Sequence, residues 1–195
     1  MFKLIKAVYK NDPAARGLEA ILYSGVHALI IHKYFSYPFN KIGLKFISRL
    51  ISQISRFFTG IEIHPSVKIG NGVFIDHGLG IVFGETTEIG DNCIIFQNVT
   101  LGGTGKIDGK RHPTIGNNVF IGANATILGP CPIGDNCKIG AETVIIDKEV
   151  PPNCTVVGAP GRIVRQEGKR VNKPLKALVA SQIVREYEET KKYED

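Results

Sequence analysis

At 195 residues, of which 43% are hydrophobic, the chain has the size and composition of one folded domain and is too apolar to be disordered throughout. The net charge of +6 lies on the flanks: nine Lys and Arg against two acids in residues 1–61, six against ten in 62–161, and nine against six in 162–195. This pattern disfavours nucleic-acid binding, no apolar run reaches the roughly 18 residues of a membrane span, and no signal peptide is recognisable, so we expect a cytoplasmic protein that binds neither nucleic acid nor membrane.

Residues 1–61 form an N-terminal helical region. Apolar residues at helical spacing predict two helices, over residues 18–35 and 42–58, separated at Pro38. The second helix is amphipathic, with its apolar residues opposite Lys, Arg and Ser. We expect its apolar face to pack on the domain or on a partner subunit, in preference to a membrane surface.

An aliphatic residue returns every six positions through the middle of the chain. The repeat starts at Ile63, slips by two residues after Ile81, and resumes at Ile115 after an eight-residue insertion, continuing to Ile145. A period of six is neither helical nor that of a plain strand, but it fits one short strand and one corner per hexapeptide, with three hexapeptides per triangular coil. The sequence therefore predicts a mainly β protein, with a parallel β-helix over residues 62–165.

Four cysteines occur in the chain, and none of their spacings is typical of a zinc site. Three of them, Cys93, Cys131 and Cys137, occupy the small or apolar fifth position of a hexapeptide. We therefore expect reduced, buried thiols and no metal.

Two segments depart from the repeat. Residues 102–113 are rich in glycine and should leave the β-helix as an exposed loop, and long loops in compact folds are usually functional. Residues 166–195 are charged and polar, with helical spacing only over 175–187. They are expected to form a C-terminal tail that is helical or mobile.

The pair Asp76-His77 is unusual inside a regular coil. We interpret His77 as a general base, the alternative being an exposed polar pair on a coil face. Glu62 lies fifteen residues earlier, close to one coil of eighteen, so it could orient His77 from the neighbouring coil. His64 is a competing histidine, with a structural role at least as well supported.

The extruded loop carries Arg111-His112 and a glycine-rich run, residues 102–106. A guanidinium at this place could hold a carboxylate with two hydrogen bonds, although charges that only keep the loop soluble are the alternative. The glycine-rich backbone could direct N–H groups at a phosphate or a developing oxyanion. Its spacing is not that of a Walker loop.

Together these residues resemble the serine O-acetyltransferase family of hexapeptide-repeat acyltransferases. The resemblance covers roughly residues 10–165 in the order and spacing of the family, and its most specific parts are DHG at 76–78, TLGGTGK at 100–106 and RHP at 111–113. The other matching stretches are 11–14, 24–28, 60–65 and 158–160.

The resemblance implies a left-handed β-helix that forms homotrimers with active sites between subunits. It implies acetyl transfer from acetyl-CoA to the hydroxyl of L-serine, giving O-acetylserine and CoA in the first step of cysteine biosynthesis, with no permanently bound cofactor. His77 would be the catalytic base and Glu62 its carboxylate partner. The implied serine-binding residues are Asp12, Asp76, Arg111 and His112, and the implied CoA-binding residues are Gly103, Thr104, Ala123, Lys138 and Ala141.

Three features depart from the better-known members. Glu62 stands where they have Asp. The N-terminal region is much shorter than in the long members, where it pairs trimers into hexamers, so we expect a trimer, with the hexamer as the alternative. The chain ends at Asp195 and lacks the terminal isoleucine that docks into the sulfhydrylase, so we do not expect that complex. L-Cysteine is expected as a feedback inhibitor that competes at the serine pocket.

Two other functions fit parts of the sequence. A hexapeptide acetyltransferase acting on a sugar or other hydroxyl acceptor would keep His77 but would not need Asp12 or Arg111. A β-helix scaffold without catalysis would need none of these residues, and the intact pairs at 76–77 and 111–112 disfavour it.

Overall fold

Short parallel strands wind through five coils over residues 62–157 in the computed structural model, which describes residues 2–105 and 109–178. In chain order the strands are β1 Glu62–Ile63, β2 Lys68–Ile69, β3 Phe74–Ile75, β4 Val82–Phe83, β5 Glu88–Ile89, β6 Ile94–Ile95, β7 Thr100–Gly102, β8 Thr114–Ile115, β9 Phe120–Ile121, β10 Thr126–Leu128, β11 Pro132–Ile133, β12 Lys138–Ile139, β13 Val144–Ile146, β14 Lys148–Glu149 and β15 Cys154–Val157.

The strands stack into three flat faces, which confirms the predicted parallel β-helix. Face A is β1-β4-β7-β10-β13, face B is β2-β5-β8-β11, and face C is β3-β6-β9-β12-β15. The chain turns from A to B at the A/B corner, from B to C at the B/C corner, and from C to the next coil at the C/A corner. Each hexapeptide therefore contributes one strand and one corner, as its period requires.

The aliphatic residues of the repeat fill the interior, and all of them except the half-buried Ile69 are buried. All four cysteines are free and buried inside the β-helix. Ile63 pairs with Phe83, so the first coil is two residues longer than the regular coil of 18. The slip predicted after Ile81 therefore lies before it, at the C/A corner that follows β3. Phe83, and not Ile81, is the residue of the next coil that pairs with Ile63.

The end of the described chain is extended. Strands β16, Arg162–Gln166, and β17, Lys169–Pro174, add to face C in antiparallel fashion, and β18, Lys176–Ala177, pairs with β14. The tail predicted from residue 166 thus begins as sheet, because its first residues continue the hydrogen-bonding of β15 and β16. Most of the helical spacing predicted for 175–187, and the C-terminal residues that bear on the sulfhydrylase, lie outside the described residues.

Helices cover the N-terminal end of the β-helix. They are α1 Phe2–Asn11, α2 Ser24–Ile31, α3 Tyr37–Lys41 and α4 Lys45–Thr59, with a 3₁₀ turn at Glu19–Leu22 and a π-helical turn at His32–Ser36. Helix α2 closes the first coil: Ala28 and Leu29 join the core, and a Cβ on Gly25 would lie 2.4 Å from the Ile75 carbonyl oxygen. Glycine is needed for that close approach.

Pro38 does not separate two helices as predicted. The helical course continues from α2 through the π turn into α3, where Pro38 sits in the first turn. The Tyr37 N–H bonds to the carbonyl of His32, five residues earlier, which widens the helix just before the proline. The break falls instead between α3 and α4. Helix α1 had no counterpart in the prediction.

Helix α4 faces the chain with its small polar side. Ser48, Ser52, Ser55 and Thr59 are buried, and Ser52 Oγ donates to the Ile63 carbonyl at 2.6 Å. Of the two surfaces predicted to cover the apolar face, the chain's own domain is therefore excluded, because small side chains allow the closer approach to α2 and β1. Packing on a partner subunit stays a prediction. The apolar side is exposed: Phe46, Ile47, Leu50, Ile54, Phe57 and Phe58. Among the described residues, no helix is long and apolar enough to cross a membrane.

Candidate active site

An acidic cluster lies at the first C/A corner. Asp12 follows α1 and accepts a hydrogen bond from the Tyr23 hydroxyl, and the Tyr23 ring lies against Phe74 of β3. The hydrogen bond from Tyr23 lowers the pKa of Asp12, to which His77 also contributes, and raises the pKa of Tyr23 to about 12. The structure thus brings Asp12 to the corner of Asp76 and His77, although 64 positions separate Asp12 from Asp76 in the sequence.

His77 projects from this irregular corner. Its backbone is left-handed, with φ of 59°, and Gly78 and Gly80 are left-handed as well. The two extra residues of the first coil fall here, so the corner bulges outward and leaves the His77 side chain 71% exposed. Its Nε2 lies 3.8 Å from Asp76 Oδ1. An imidazole exposed at such a corner can be reached by a substrate hydroxyl, which a general base requires.

A second cluster lies across face A, at the A/B corner, where the extruded loop returns to the β-helix. Arg111 pairs with Glu85, which follows β4, and this contact lowers the pKa of Glu85. Lys110 donates from Nζ to the Thr86 carbonyl at 2.5 Å, and burial lowers its pKa to about 8. Arg111 is itself 35% exposed, so this cluster presents a guanidinium that a carboxylate can reach.

His112 is 8% exposed, and its Nδ1 lies 2.9 Å from Thr86 Oγ1. Burial, followed by the charges of Arg111 and Lys110, lowers its pKa to about 4, so the ring is neutral at pH 7. His64 lies on the same corner one coil above Glu85, with its Nδ1 accepting the Ser66 N–H at 3.2 Å. Burial, assisted by the charge of Arg49, lowers the pKa of His64.

Glu62 does not contact His77 within the chain. Its carboxylate pairs with Arg49 and Arg56 of α4, each at 3.0 Å, on the outward side of β1. The residue that pairs with Glu62 is Val82, because the first coil is lengthened, so His77 lies five positions before it, whereas a coil of 18 would leave a gap of about three. Its role as partner of His77 stays a prediction.

The residues expected to bind CoA divide between the same two corners. Ala123 and Ala141 lie in successive coils at the C/A corner, where the Glu142 N–H bonds to the Ala123 carbonyl, and Lys138 lies on face C beside them. Gly103 and Thr104 follow β7 at the A/B corner. The candidate residues thus form two groups separated by the width of face A, on the order of 15–20 Å for about five extended residues.

Sequence reasoning missed Glu85, Thr86 and Tyr23. Arithmetic on the repeat would have found the first two, since Glu85 stands 26 residues before Arg111, which is one coil of 18 plus the eight inserted residues. Nothing in the repeat relates Tyr23 to Asp12. In the part of the chain that the structure describes, no group of three His, Cys, Asp or Glu side chains could hold a metal ion.

Comparison with known proteins gives a consistent result. Residues 112–147 match the family described as bacterial transferase hexapeptide (six repeats). The chain is 53% identical over 180 residues to a serine acetyltransferase of Bacillus pumilus, covering 89% of this chain and 82% of the relative.

Two solved structures share the fold. The TM-score is 0.80, at 40% identity, with a Neisseria gonorrhoeae serine acetyltransferase in complex with serine, covering 84% of this chain and 67% of that chain. The TM-score is 0.79, at 40% identity, with a Brucella abortus serine acetyltransferase in complex with coenzyme A, covering 83% of this chain and 65% of that chain. The chain thus spans about two thirds of the length of those solved chains.

The hexapeptide β-helix, with a histidine at one corner and a basic loop at another, defines the class of hexapeptide-repeat acyltransferases. Within that class, the chain shares more than half of its residues with a serine acetyltransferase over most of its length, and this identity settles the assignment. The chain belongs to the serine acetyltransferase family.

Proposed function

We propose that the chain transfers the acetyl group of acetyl-CoA to the hydroxyl of L-serine, giving O-acetylserine and CoA, and so catalyses the first step of cysteine biosynthesis from serine. The observation that carries the proposal is the pair of oppositely charged clusters on a serine acetyltransferase β-helix. A free amino acid carries both charges, an ammonium and a carboxylate. A sugar carries neither charge and has no need of the two clusters.

His77 acts as the base in this reaction. Its imidazole takes the proton of the serine hydroxyl while the oxygen attacks the thioester carbonyl carbon. The tetrahedral intermediate then collapses, the carbon–sulfur bond breaks, and the imidazolium returns the proton to the CoA thiolate. The backbone N–H of Gly103 is proposed to face the oxyanion that forms on the thioester oxygen.

The two clusters divide the recognition of serine. Asp12 and Asp76 take the ammonium, and Arg111 and His112 take the carboxylate. L-Cysteine carries the same two groups and would compete for the same clusters, which is the basis proposed for feedback inhibition. Glu62 would need to leave Arg49 and Arg56 to orient His77.

The proposal includes a homotrimer, with a hexamer as the alternative. Each site needs both clusters, and one chain carries them at opposite corners of face A, so a neighbour around a threefold axis would supply the missing half. The uncharged outward residues of face A support contact between copies: Val82, Thr100, Thr126, Val144 and Ile146. The exposed apolar side of α4 lies beside the same face and would extend that contact.

A cytoplasmic location is also part of the proposal. Four free, buried cysteines are typical of a reducing compartment. Burial raises the pKa of Cys93, Cys131 and Cys137 to about 11, which keeps these thiols protonated and unreactive. They serve as small core residues and take no part in the reaction.

The test is CoA release from acetyl-CoA with L-serine, comparing the wild type with His77→Ala. Loss of a general base should lower the rate about 10²–10⁴-fold. His27→Ala is the matched control, because the His27 side chain is exposed on α2 and, among the described residues, forms a hydrogen bond only with the Ile21 carbonyl. A wild type that releases no CoA with serine contradicts the proposal. Release that survives in His77→Ala removes His77 from the role of base.

A further inference from the structure

Thr86 joins the β-helix to the extruded loop. It lies at the A/B corner between β4 and β5, where its hydroxyl oxygen accepts the backbone N–H groups of Arg111 and His112, both at 3.1 Å. Its carbonyl accepts the Lys110 ammonium at 2.5 Å. Three consecutive loop residues therefore converge on one threonine of the preceding coil.

The same threonine contacts the His112 ring. The backbone N–H of Thr86 points at His112 Nδ1 at 3.2 Å, and the hydroxyl oxygen lies 2.9 Å from that nitrogen. A backbone N–H can only donate, so Nδ1 must offer a lone pair. The ring proton of neutral His112 is therefore on Nε2.

The hydroxyl of Thr86 is fully used in this arrangement. A hydroxyl has one proton and two lone pairs. The lone pairs accept the N–H groups of Arg111 and His112, which leaves the proton to be donated to Nδ1. The single lone pair of Nδ1 is thus shared by two donors of Thr86, the hydroxyl at 2.9 Å and the backbone N–H at 3.2 Å, and the hydroxyl is the nearer.

We propose that Thr86 is a positioning residue that holds His112 in the Nε2–H tautomer, so that the imidazole is a hydrogen-bond donor to the carboxylate of the amino-acid acceptor. The proposal rests on the serine acetyltransferase function. It assigns the two histidines of the site opposite tasks. His112 already carries a proton on the nitrogen that faces away from Thr86, so it accepts none there, and proton removal is left to His77.

The surroundings of the ring agree with a fixed donor. A Cβ on Gly84 would lie 2.1 Å from His112 Nε2 and 2.0 Å from Cδ2, so the ring rests directly on the glycine backbone. A Cβ on Gly103 would lie 3.4 Å from Nε2. The glycines on both sides fix the plane of the His112 ring. Thr86 fixes which way the ring is turned about the Cβ–Cγ bond and which ring nitrogen carries the proton. The low pKa of His112 keeps this neutral form dominant at pH 7.

The test compares Thr86→Val with Thr86→Ser. Valine keeps the shape and removes the hydroxyl, whereas serine keeps the hydroxyl. The protein is labelled with ¹⁵N-histidine, and the His112 ring signals are assigned from their loss in His112→Gln. In the wild type and Thr86→Ser, Nδ1 should give a pyridine-like signal and Nε2 a pyrrole-like signal. In Thr86→Val the hydroxyl contact at 2.9 Å is lost and only the backbone N–H at 3.2 Å remains on Nδ1, so the preference for Nε2–H should weaken and the signals should move toward a mixture of tautomers.

Kinetics gives a second readout. The KM for serine should rise about tenfold in Thr86→Val, the effect of about 1.4 kcal/mol, with a smaller change in kcat. Thr86→Ser should stay within about threefold of the wild type. Thr114→Val is the matched control, because Thr114 lies nearby on β8 and makes no side-chain hydrogen bond within residues 2–105 and 109–178. It should change neither readout.

Two results would overturn the proposal. One is a wild-type ring protonated on Nδ1. The other is a Thr86→Val protein that keeps a single Nε2–H tautomer and a serine KM within about twofold of the wild type. The ring signals do not depend on turnover, so a wild type that fails to acetylate serine would refute the proposed function and leave the tautomer measurable.

Discussion

Thr143 places a hydroxyl inside the β-helix at a position where most other hexapeptides have valine, alanine or cysteine. It is fully buried, and among the described residues its Oγ1 has no hydrogen-bond partner. A buried hydroxyl without a partner keeps the cost of its lost hydration, which favours an apolar residue of the same shape.

Thr143→Val should therefore stabilise the protein by about 1–2 kcal/mol per chain, measured as a higher midpoint of denaturant unfolding at unchanged slope. The control is Thr87→Val at the same position of an earlier hexapeptide, where the hydroxyl reaches the Leu101 carbonyl at 3.4 Å. That variant should gain less. Equal gains would mean that packing, and not the unpaired hydroxyl, decides the effect.

At the scale of elements, α4 shows that a strong apolar pattern does not identify the surface against which the apolar face packs. Its apolar residues recur at helical spacing, which predicts a buried apolar face. The structure buries the serines because α4 must pass close to α2 and β1, and only small side chains permit that distance. Periodicity identifies two faces of a helix but does not say which face meets its own chain.

Substitution of Ser52 tests this orientation. Ser52→Ala removes one hydrogen bond and should cost about 1 kcal/mol. Ser52→Leu also forces a large side chain against β1 and should lower the free energy of unfolding by about a further 1–3 kcal/mol. A leucine variant as stable as the alanine variant would indicate that the serine face is not packed against the chain.

The β-helix itself was predictable because every hexapeptide repeats one local rule. Ile63 and Ile145 occupy equivalent positions of the hexapeptide repeat. The period therefore predicts the class of fold and the core residues without knowledge of distant contacts. The pair Asp76-His77 is unusual in a regular coil, but the sequence alone predicts the two extra residues after Ile81, because Ile81 and Phe83 are both apolar. Only strand pairing distinguishes them.

The candidate site was predictable as a set of residues but not as an arrangement. Motifs name Asp12, His77 and Arg111, yet say nothing of which corner each occupies. The assumption that Glu62 reaches His77 treated the first coil as regular, and the longer coil together with Arg49 and Arg56 places its carboxylate elsewhere. Contacts from the helical region lie outside any repeat arithmetic.

For the whole molecule, the separation of charge is the decisive feature. The carboxylates of Asp12 and Asp76 stand at one corner of face A, and the guanidinium of Arg111 stands at the other. If serine binds both clusters as proposed, one chain cannot hold both of its charged groups, because serine is far smaller than the face between them. In the proposed homotrimer, the threefold symmetry would place the acidic corner of one copy beside the basic corner of the next.

This geometry predicts that two inactive variants restore each other. His77→Ala and Arg111→Ala chains, each with its own affinity tag, are expressed together, and assemblies carrying both tags are isolated. In a mixed trimer, one of the three junctions joins an intact His77 to an intact Arg111, so the activity should be about a third of that of the wild type.

The parent proteins, and a mixed assembly of His77→Ala with itself under two tags, set the background for this measurement. If each site were built within a single chain, every site of the mixed trimer would carry one lesion, and its activity would equal that background. Restored activity above the background therefore requires that residues from two chains meet in one site, with the acidic corner of one copy facing the basic corner of the next.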